Sequence, residues 1–425
     1  MHSPWAGGVI LVAFAVLALI LANIPQTAGV YHHLLESHLT VGFDHFRLSK
    51  PLEAWINDGL MVIFFFYVGL EIKREIIAGQ LSGVRRAALP VAAAIGGMAV
   101  PALIYVLINR SGDFLSGWGI PMATDIAFAI GILSLLGNRV PVSLKVFLMA
   151  LAVVDDLGGI LVIAVFYSTD IQVGMAAVVF VFMILLKRLN VYKMRYYLIL
   201  SIVMWILFLY SGIHATIAGV LIALTIPSTP RFTKRYFSYK TRYYLRSFRR
   251  HDREGVQVLS NRKQLEDIEM VRLVATNAIS PSQRLEYALH HVVSFFIMPV
   301  FALANAGGAI SGFGDLRVLL EPLGMGIFFG LVVGKPLGVF LFSRLVVWLK
   351  WGELPQGATW AGVFGVSCLA GIGFTMSIFI NNLAFADPAT VSNGKIAILV
   401  ASLAAVIVGF VFTRTMVKRK ENPED

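Results

Sequence analysis

The chain has 425 residues, 58% of them hydrophobic and 14% charged, and its mean hydropathy is +0.78. Length alone would accommodate two or three soluble domains, but this composition lies outside the soluble range and excludes an ordinary globular enzyme. A formal net charge of +11 in so apolar a chain is first a topology signal, with nucleic-acid binding a poor second.

Apolar runs of about 17–25 residues, the length that crosses the hydrocarbon as a helix, begin near residues 5, 55, 87, 118, 143, 171, 195, 212, 286, 319, 359 and 393. Twelve spans put both termini on one side of the membrane. The first, WAGGVILVAFAVLALILANI, lacks a basic leader and a small-residue cleavage pattern, so it reads as a retained helix. The second opens near Asp58 and closes on Glu71, Lys73, Arg74 and Glu75. The fourth, GIPMATDIAFAIGILSLL, carries Pro121, Thr124 and Asp125, and the fifth, FLMALAVVDDLGGILVIAVFY, sets Asp155 beside Asp156. YSGIHAT interrupts the stretch from 195 to 228, which leaves one long or two short spans there. Glu286 and His290 stand at the start of the ninth span, Lys335 and Pro336 lie within the tenth, and Gly371 and Gly373 lie within the eleventh. The single cysteine, Cys368, excludes an intrachain disulfide.

With a cytoplasmic N-terminus, all but six of the 35 Lys and Arg residues fall in cytoplasmic connections; the six are Arg47, Lys50, Arg110, Arg317, Lys395 and Lys335. That bias follows the positive-inside rule and places both termini in the cytoplasm. The chain then divides into spans 1–8 (residues 1–228), a basic cytoplasmic loop (229–286), spans 9–12 (287–417) and a cytoplasmic tail (418–425). Residues 231–253 interleave Arg and Lys with Tyr and Phe. This mixture suits anionic lipid headgroups or a solvated face, and without an RNA-binding signature no nucleic-acid partner is expected.

An ionised Asp at the centre of a membrane helix costs about 2.5–3.5 kcal/mol, so such residues face a cavity or a partner. Asp125 with Thr124 also has a plain reading as a helix cap, and Lys335 has one as a snorkelling or structurally paired cation. Asp155 and Asp156 resist such an account. Neighbours on a helix point about 100° apart, so one partner does not satisfy both. Three acids and one base leave a surplus of negative charge that a cation or protons must balance. The breaks at Pro121, Pro336, Gly371 and Gly373 coincide with these residues, and interrupted helices at membrane depth are tolerated where they line a cavity. TDIAF (124–128) resembles AGIGF (370–374), and MAVPALIYV (98–106) resembles VGKPLGVFL (333–341). These matches fall at corresponding places in spans 3–5 and 10–12, which start on opposite sides and so form an inverted repeat. Glycines 326, 330, 334 and 338 recur every fourth residue and admit a neighbouring helix beside Lys335.

INDGLMVIFFFYVGLEIKRE, GIPMATDIAFAIGILSLLGNRVP, LKVFLMALAVVDDLGGILVIAVFY, SGIHATIAGV, PVFALANAG, GLVVGKPLG and GIGFTMSIFI resemble, in order, segments of the bacterial NhaA-type sodium/proton antiporters. The resemblance fails mainly across about residues 229–279. It implies an all-α polytopic membrane protein of about twelve transmembrane helices, with two discontinuous helices crossing at Thr124–Asp125 and Gly371–Gly373. It implies a homodimer in the bacterial inner membrane, joined through a β-hairpin within residues 40–52. It further implies that Asp156 is the main Na⁺ ligand and proton carrier, that Asp155 pairs with Lys335 in one state, and that Thr124 and Asp125 serve the crossing and the ion. Glu71, Lys73, Arg74, Glu75, Glu286 and His290 match positions linked in the family to pH response. Tyr287 stands where His is common, and the inserted basic segment enters just upstream.

The activity implied is electrogenic exchange of cytoplasmic Na⁺, with Li⁺ the other candidate cation, for external protons by alternating access. The alternative is a Na⁺-coupled symporter of an organic solute. No resident cofactor is expected, and no nucleophile, base and acid set marks an enzyme.

Overall fold

The computed structural model describes residues 6–416, apart from 44–45, 111, 113, 138–139, 168–173, 190–193, 211–213, 253–256 and 309–312. The expected tail at 418–425, Arg139 and Arg253 lie outside the described residues. The chain begins with α1 (Ala6–Asn23) and α2 (Pro25–Glu36), followed by β1 (His38–Phe43) and β2 (Phe46–Pro51). These strands pair antiparallel from His38↔Pro51 to Phe43↔Phe46, which makes the hairpin expected within 40–52. The short α3 (Leu52–Trp55) and a π turn lead into α4 (Met61–Ala78). Next come α5 (Val84–Ile108), a 3₁₀ segment (Leu115–Met122), α6 (Ile126–Leu135) and α7 (Val142–Phe166). Then follow α8 (Gly174–Arg188), α9 (Met194–Tyr210) and α10 (Ala215–Thr225). The stretch from 195 to 228 therefore holds two helices.

Residues 229–280 differ from the expected loop. Thr233 caps α11 (Lys234–Arg250) and Asn261 caps α12 (Arg262–Ala278), which together form a helical hairpin. Side-chain caps at both N-termini explain why so polar a stretch is helical. Helix α13 (Pro281–Val292) starts at Pro281, inside the segment expected as loop, because Ser280 caps it and proline is tolerated at the first helical position. A π turn joins it to α14 (Met298–Asn305). The last elements are α15 (Pro322–Phe329), α16 (Lys335–Trp348), α17 (Trp360–Ala370), α18 (Phe374–Ala384) and α19 (Pro388–Met416).

Among the described residues, seven helical segments are long and apolar enough to span a membrane, and an eighth results if α17 and α18, bent by 44°, count as one span. The chain is thus an all-α polytopic membrane protein. Each of the other expected spans also has a helix in its place, although α4 ends in charge and α8, α9 and α10 are shorter. The break expected at Pro336 is absent. The span Pro322–Trp348 is continuous, and a π turn at Gly330–Gly334 precedes Lys335 and Pro336. Pro336 removes one backbone donor and crowds the preceding turn, and a locally widened helix absorbs both effects without a kink.

Close packing brings α5 against α16. A side chain at Gly96 would collide with the Gly338 carbonyl, and one at Gly338 with the Gly96 carbonyl. Gly97 faces Val339 and the stem of Lys335. Small residues on both helices therefore set how deeply Lys335 is buried. On the other side of the site, Gly69 of α4 meets Ala223 and Val220 of α10.

Candidate ion-exchange site

The two broken spans meet at their breaks. Between the 3₁₀ segment and α6, residues Ala123–Asp125 are non-helical, and Gly371–Gly373 separate α17 from α18. The Asp125 amide donates to the Ile372 carbonyl at 2.7 Å, and the Thr124 hydroxyl donates to the Ala370 carbonyl at 2.8 Å. The Asp125 carboxylate caps α6 by accepting from the Phe128 amide at 3.0 Å. Its other oxygen accepts from the Thr375 amide at 3.3 Å and from the Thr375 hydroxyl. One fully buried carboxylate thus faces two helix N-termini, each equivalent to roughly half a positive charge. The Ser377 hydroxyl, donating to the Ile120 carbonyl at 2.8 Å, adds another tie across the crossing.

Helix α7 is unbroken past this point and supplies the paired acids. Asp155 Oδ2 lies 2.6 Å from Lys335 Nζ, with both side chains at 1% exposure or less. Lys335 also donates to the Met122 carbonyl, one of the backbone oxygens released where the 3₁₀ segment ends. Asp156 points away from this pair. Its Oδ2 is buried without a hydrogen-bond partner, and the residue lines a cavity of about 330 Å³ together with Thr124, Asp125, Glu71 and His290. A buried oxygen with no donor is costly to keep ionised without a cation, and carboxylate oxygens are suitable ligands for a hard ion such as Na⁺.

A second charged group lies beside this cavity, whose wall includes Tyr67, Glu71 and His290. Arg74 donates to Glu286 at 2.7 Å and to Glu75 at 3.0 Å, and it lies 3.8 Å from Glu71. The Tyr67 hydroxyl and His290 Nδ1 are 3.1 Å apart. Residues expected in the pH-response group from two distant parts of the sequence therefore come together where α4 and α13 pack. Lys73 faces away from them. It is buried and donates to the carbonyls of Ala223, Leu224 and Ile226 at the end of α10, a cation placed where the helix dipole favours one.

The structure brings Asp125, Asp155, Asp156 and Lys335 to one locality, and Glu71, Arg74, Glu75, Glu286 and His290 to another, of which Glu71 and His290 line the cavity. Sequence reasoning missed Thr375, Ser377 and Met122, and it grouped Lys73 with the pH-response residues, whereas Lys73 is bound to the end of α10. Thr375 and Ser377 follow the Gly371–Gly373 break in GIGFTMS, and hydroxyl residues just after a break are a readable capping signal. The Met122 contribution is a backbone carbonyl, which no residue type announces.

A family profile described as Na⁺/H⁺ antiporter 1 matches residues 1–413. The chain belongs to this antiporter family. The Na⁺/H⁺ antiporter NhaA of Oleidesulfovibrio alaskensis is 50% identical over 421 residues, covering 98% of this chain and 93% of that one. NhaA 2 of Syntrophotalea carbinolica is 46% identical, covering 95% of this chain and 93% of that one. NhaA of Sulfurimonas denitrificans is 44% identical, covering 98% and 95%. As a member of the Na⁺/H⁺ antiporter 1 family the chain is a membrane transporter.

Proposed function

We propose that this chain exchanges Na⁺ for protons, and that the two compete for Asp155 and Asp156. The observation that carries the reading is the buried, unpartnered Asp156 oxygen facing a cavity, beside a second acid held by a single lysine. The arrangement with Asp155 on Lys335 is the proton-loaded one. Na⁺ entering the cavity takes Asp156, which releases its proton. Asp155 turns from Lys335 to the cation, and Lys335, now without its counter-charge in an apolar site, releases a second proton. One charge enters and two leave, so the exchange is electrogenic and is driven by the membrane potential, about 2.3 kcal/mol per charge per 100 mV.

Alternating access arises at the crossing of the broken spans. Asp125 balances the two helix N-termini, so the half-helices tilt without leaving a positive charge exposed to the ion. Thr124 is one hydroxyl rotation from the cavity and serves as a further ligand. Cytoplasmic Na⁺ leaves and external protons enter through the bacterial inner membrane, with both termini cytoplasmic. The protein works as a homodimer joined through β1 and β2, and Li⁺ fits the same oxygen donors.

The test is Na⁺-triggered proton movement in inside-out vesicles, followed with a pH-sensitive dye, for the wild type and Asp156→Asn. A Na⁺-dependent pH change that disappears in the variant is expected. Exchange that persists in a folded Asp156→Asn protein would overturn the assignment of the site. Proton movement that appears only when an organic solute is added would indicate symport instead.

A further inference from the structure

The helical hairpin formed by α11 and α12 is not used by the exchange site. Its charge is unevenly divided. Helix α11 has seven basic residues and no acidic one, whereas α12 has three of each. The two faces of α11 also differ. Phe237, Thr241, Tyr244 and Phe248 are half-buried along one side. The hairpin is fastened near its tip by the Gln264 side chain on the Phe248 carbonyl (3.3 Å) and by Asn261 on the His251 carbonyl (2.6 Å). On the other side Arg235, Tyr239, Arg242, Arg246 and Arg249 recur at spacings of four and three, all exposed.

Among the described residues, none of these four arginines makes an ion pair with an acid, although arginines of α12 do: Arg262 with Glu266 and Arg272 with Glu269. A shallow groove of about 410 Å³ lies on this face, lined by Lys234, Arg235, Arg242, Ser238 and Tyr239. Three cations around a serine and a tyrosine hydroxyl form a donor set for a phosphodiester. The base of the hairpin is held at the bundle. The Phe232 amide donates to the Asn277 carbonyl at 3.0 Å, and the Ser282 amide to the Pro227 carbonyl at 3.2 Å. Pro227 follows α10 and Ser282 opens α13, so both ends of the hairpin emerge from membrane helices. At 1.5 Å per residue α11 is about 25 Å long, so its basic face stays within about that distance of the base of the hairpin.

We propose that the Arg235–Arg249 face of α11 docks on anionic lipid headgroups of the leaflet on its own side of the membrane, with a lipid phosphate in the groove between Arg235 and Arg242. Two features favour lipid over a soluble acidic partner. Tyr239 lies among the arginines and Tyr236 and Tyr243 are exposed beside them, and rings with a polar tip suit the headgroup layer. The hairpin is tethered at the surface, so docking needs no encounter from solution. The inference rests on the placement of the chain in a membrane and is independent of ion exchange.

The experiment uses the full chain in lipid nanodiscs with a Leu245→Cys label site, which is exposed beside the basic face and outside the groove; Cys368 is buried and does not compete for the dye. Quenching of the dye by an aqueous quencher is compared in phosphatidylcholine discs and in discs that also contain phosphatidylglycerol. The expected result is quenching reduced by about threefold or more in the anionic discs, restored by about 0.5 M KCl, where the Debye length shrinks to about 4 Å. Combined Arg235→Gln, Arg242→Gln and Arg246→Gln substitutions are expected to abolish the protection. Equal quenching in the two kinds of disc at low salt would overturn the proposal. If that equal quenching is also well below the level of the triple variant, the occupant of the face is a second copy of the chain. If the triple variant does not fold, the salt titration of the unsubstituted face decides the question: protection in anionic discs that salt leaves unchanged would overturn the proposal.

Discussion

Asp155 and Asp156 are neighbours in sequence and have different work. Asp155 has Oδ2 in a buried ion pair with Lys335 and Oδ1 without a donor, whereas Asp156 makes no ion pair among the described residues and its Oδ2 has no donor. Asp155→Asn leaves a buried ammonium without its counter-charge and is expected to cost about 3 kcal/mol, while Asp156→Asn is expected to change stability by less than about 1 kcal/mol. Thermal unfolding in detergent compares them, and equal losses for the two variants would contradict the division of roles. Competition at the same oxygens also fixes a sign for pH. As pH falls, protons occupy the carboxyls that Na⁺ needs, so the apparent KM for Na⁺ rises, by up to about tenfold per pH unit for each competing proton. A KM that stays flat over two pH units on the acid side would rule out a shared site. The adjacency of the two acids was legible in the sequence, as was the cost of burying them. The direction each side chain takes was not, because it depends on which neighbour lies across the helix.

At the scale of elements, the depth of Lys335 is set by two glycines on opposite helices. Gly338→Ala drives a methyl group into the Gly96 carbonyl, and such overpacking costs typically about 1–3 kcal/mol. Because Lys335 sits one turn away on the same helix, the variant is also expected to lengthen the Lys335–Asp155 contact and slow exchange. Proton movement and thermal stability measured together check this, and a variant with unchanged transport and stability would show that the helices have slack. The glycine stripe at 326, 330, 334 and 338 made a close helix neighbour foreseeable, but only the fold identified that neighbour as the Gly96–Gly97 pair. The break expected at Pro336 shows the limit of proline as a signal: a π turn upstream absorbs the missing donor, and the span continues. At Thr124–Asp125 and Gly371–Gly373 the breaks occur as expected, since each has a partner break to satisfy its freed backbone groups.

For the whole molecule, the β1–β2 hairpin is the element least able to stand alone. It has two strands, and Leu39 and Val41 are about half exposed; isolated hairpins of this kind are marginal in water, and their free edges invite pairing. Replacing residues 40–49 with a short Gly-Ser linker is therefore expected to shift the protein from dimer to monomer by native mass spectrometry while Na⁺/H⁺ exchange persists. A dimer that survives the deletion would place the contact elsewhere.

The sequence by itself determined the membrane class, the approximate number and order of the spans and the identity of the acids within them. These follow from composition and local pattern, since lipid admits only hydrogen-bonded helices and makes every buried ion costly. Tertiary structure decided that Asp125 serves two helix ends at once, that Lys335 chooses Asp155 and the Met122 carbonyl, and that Arg74 gathers Glu71, Glu75 and Glu286. It also decided that the basic segment is a capped helical hairpin. Each of these depends on groups far apart in the chain, or on backbone atoms freed at a break, and one-dimensional pattern does not carry the distances between them.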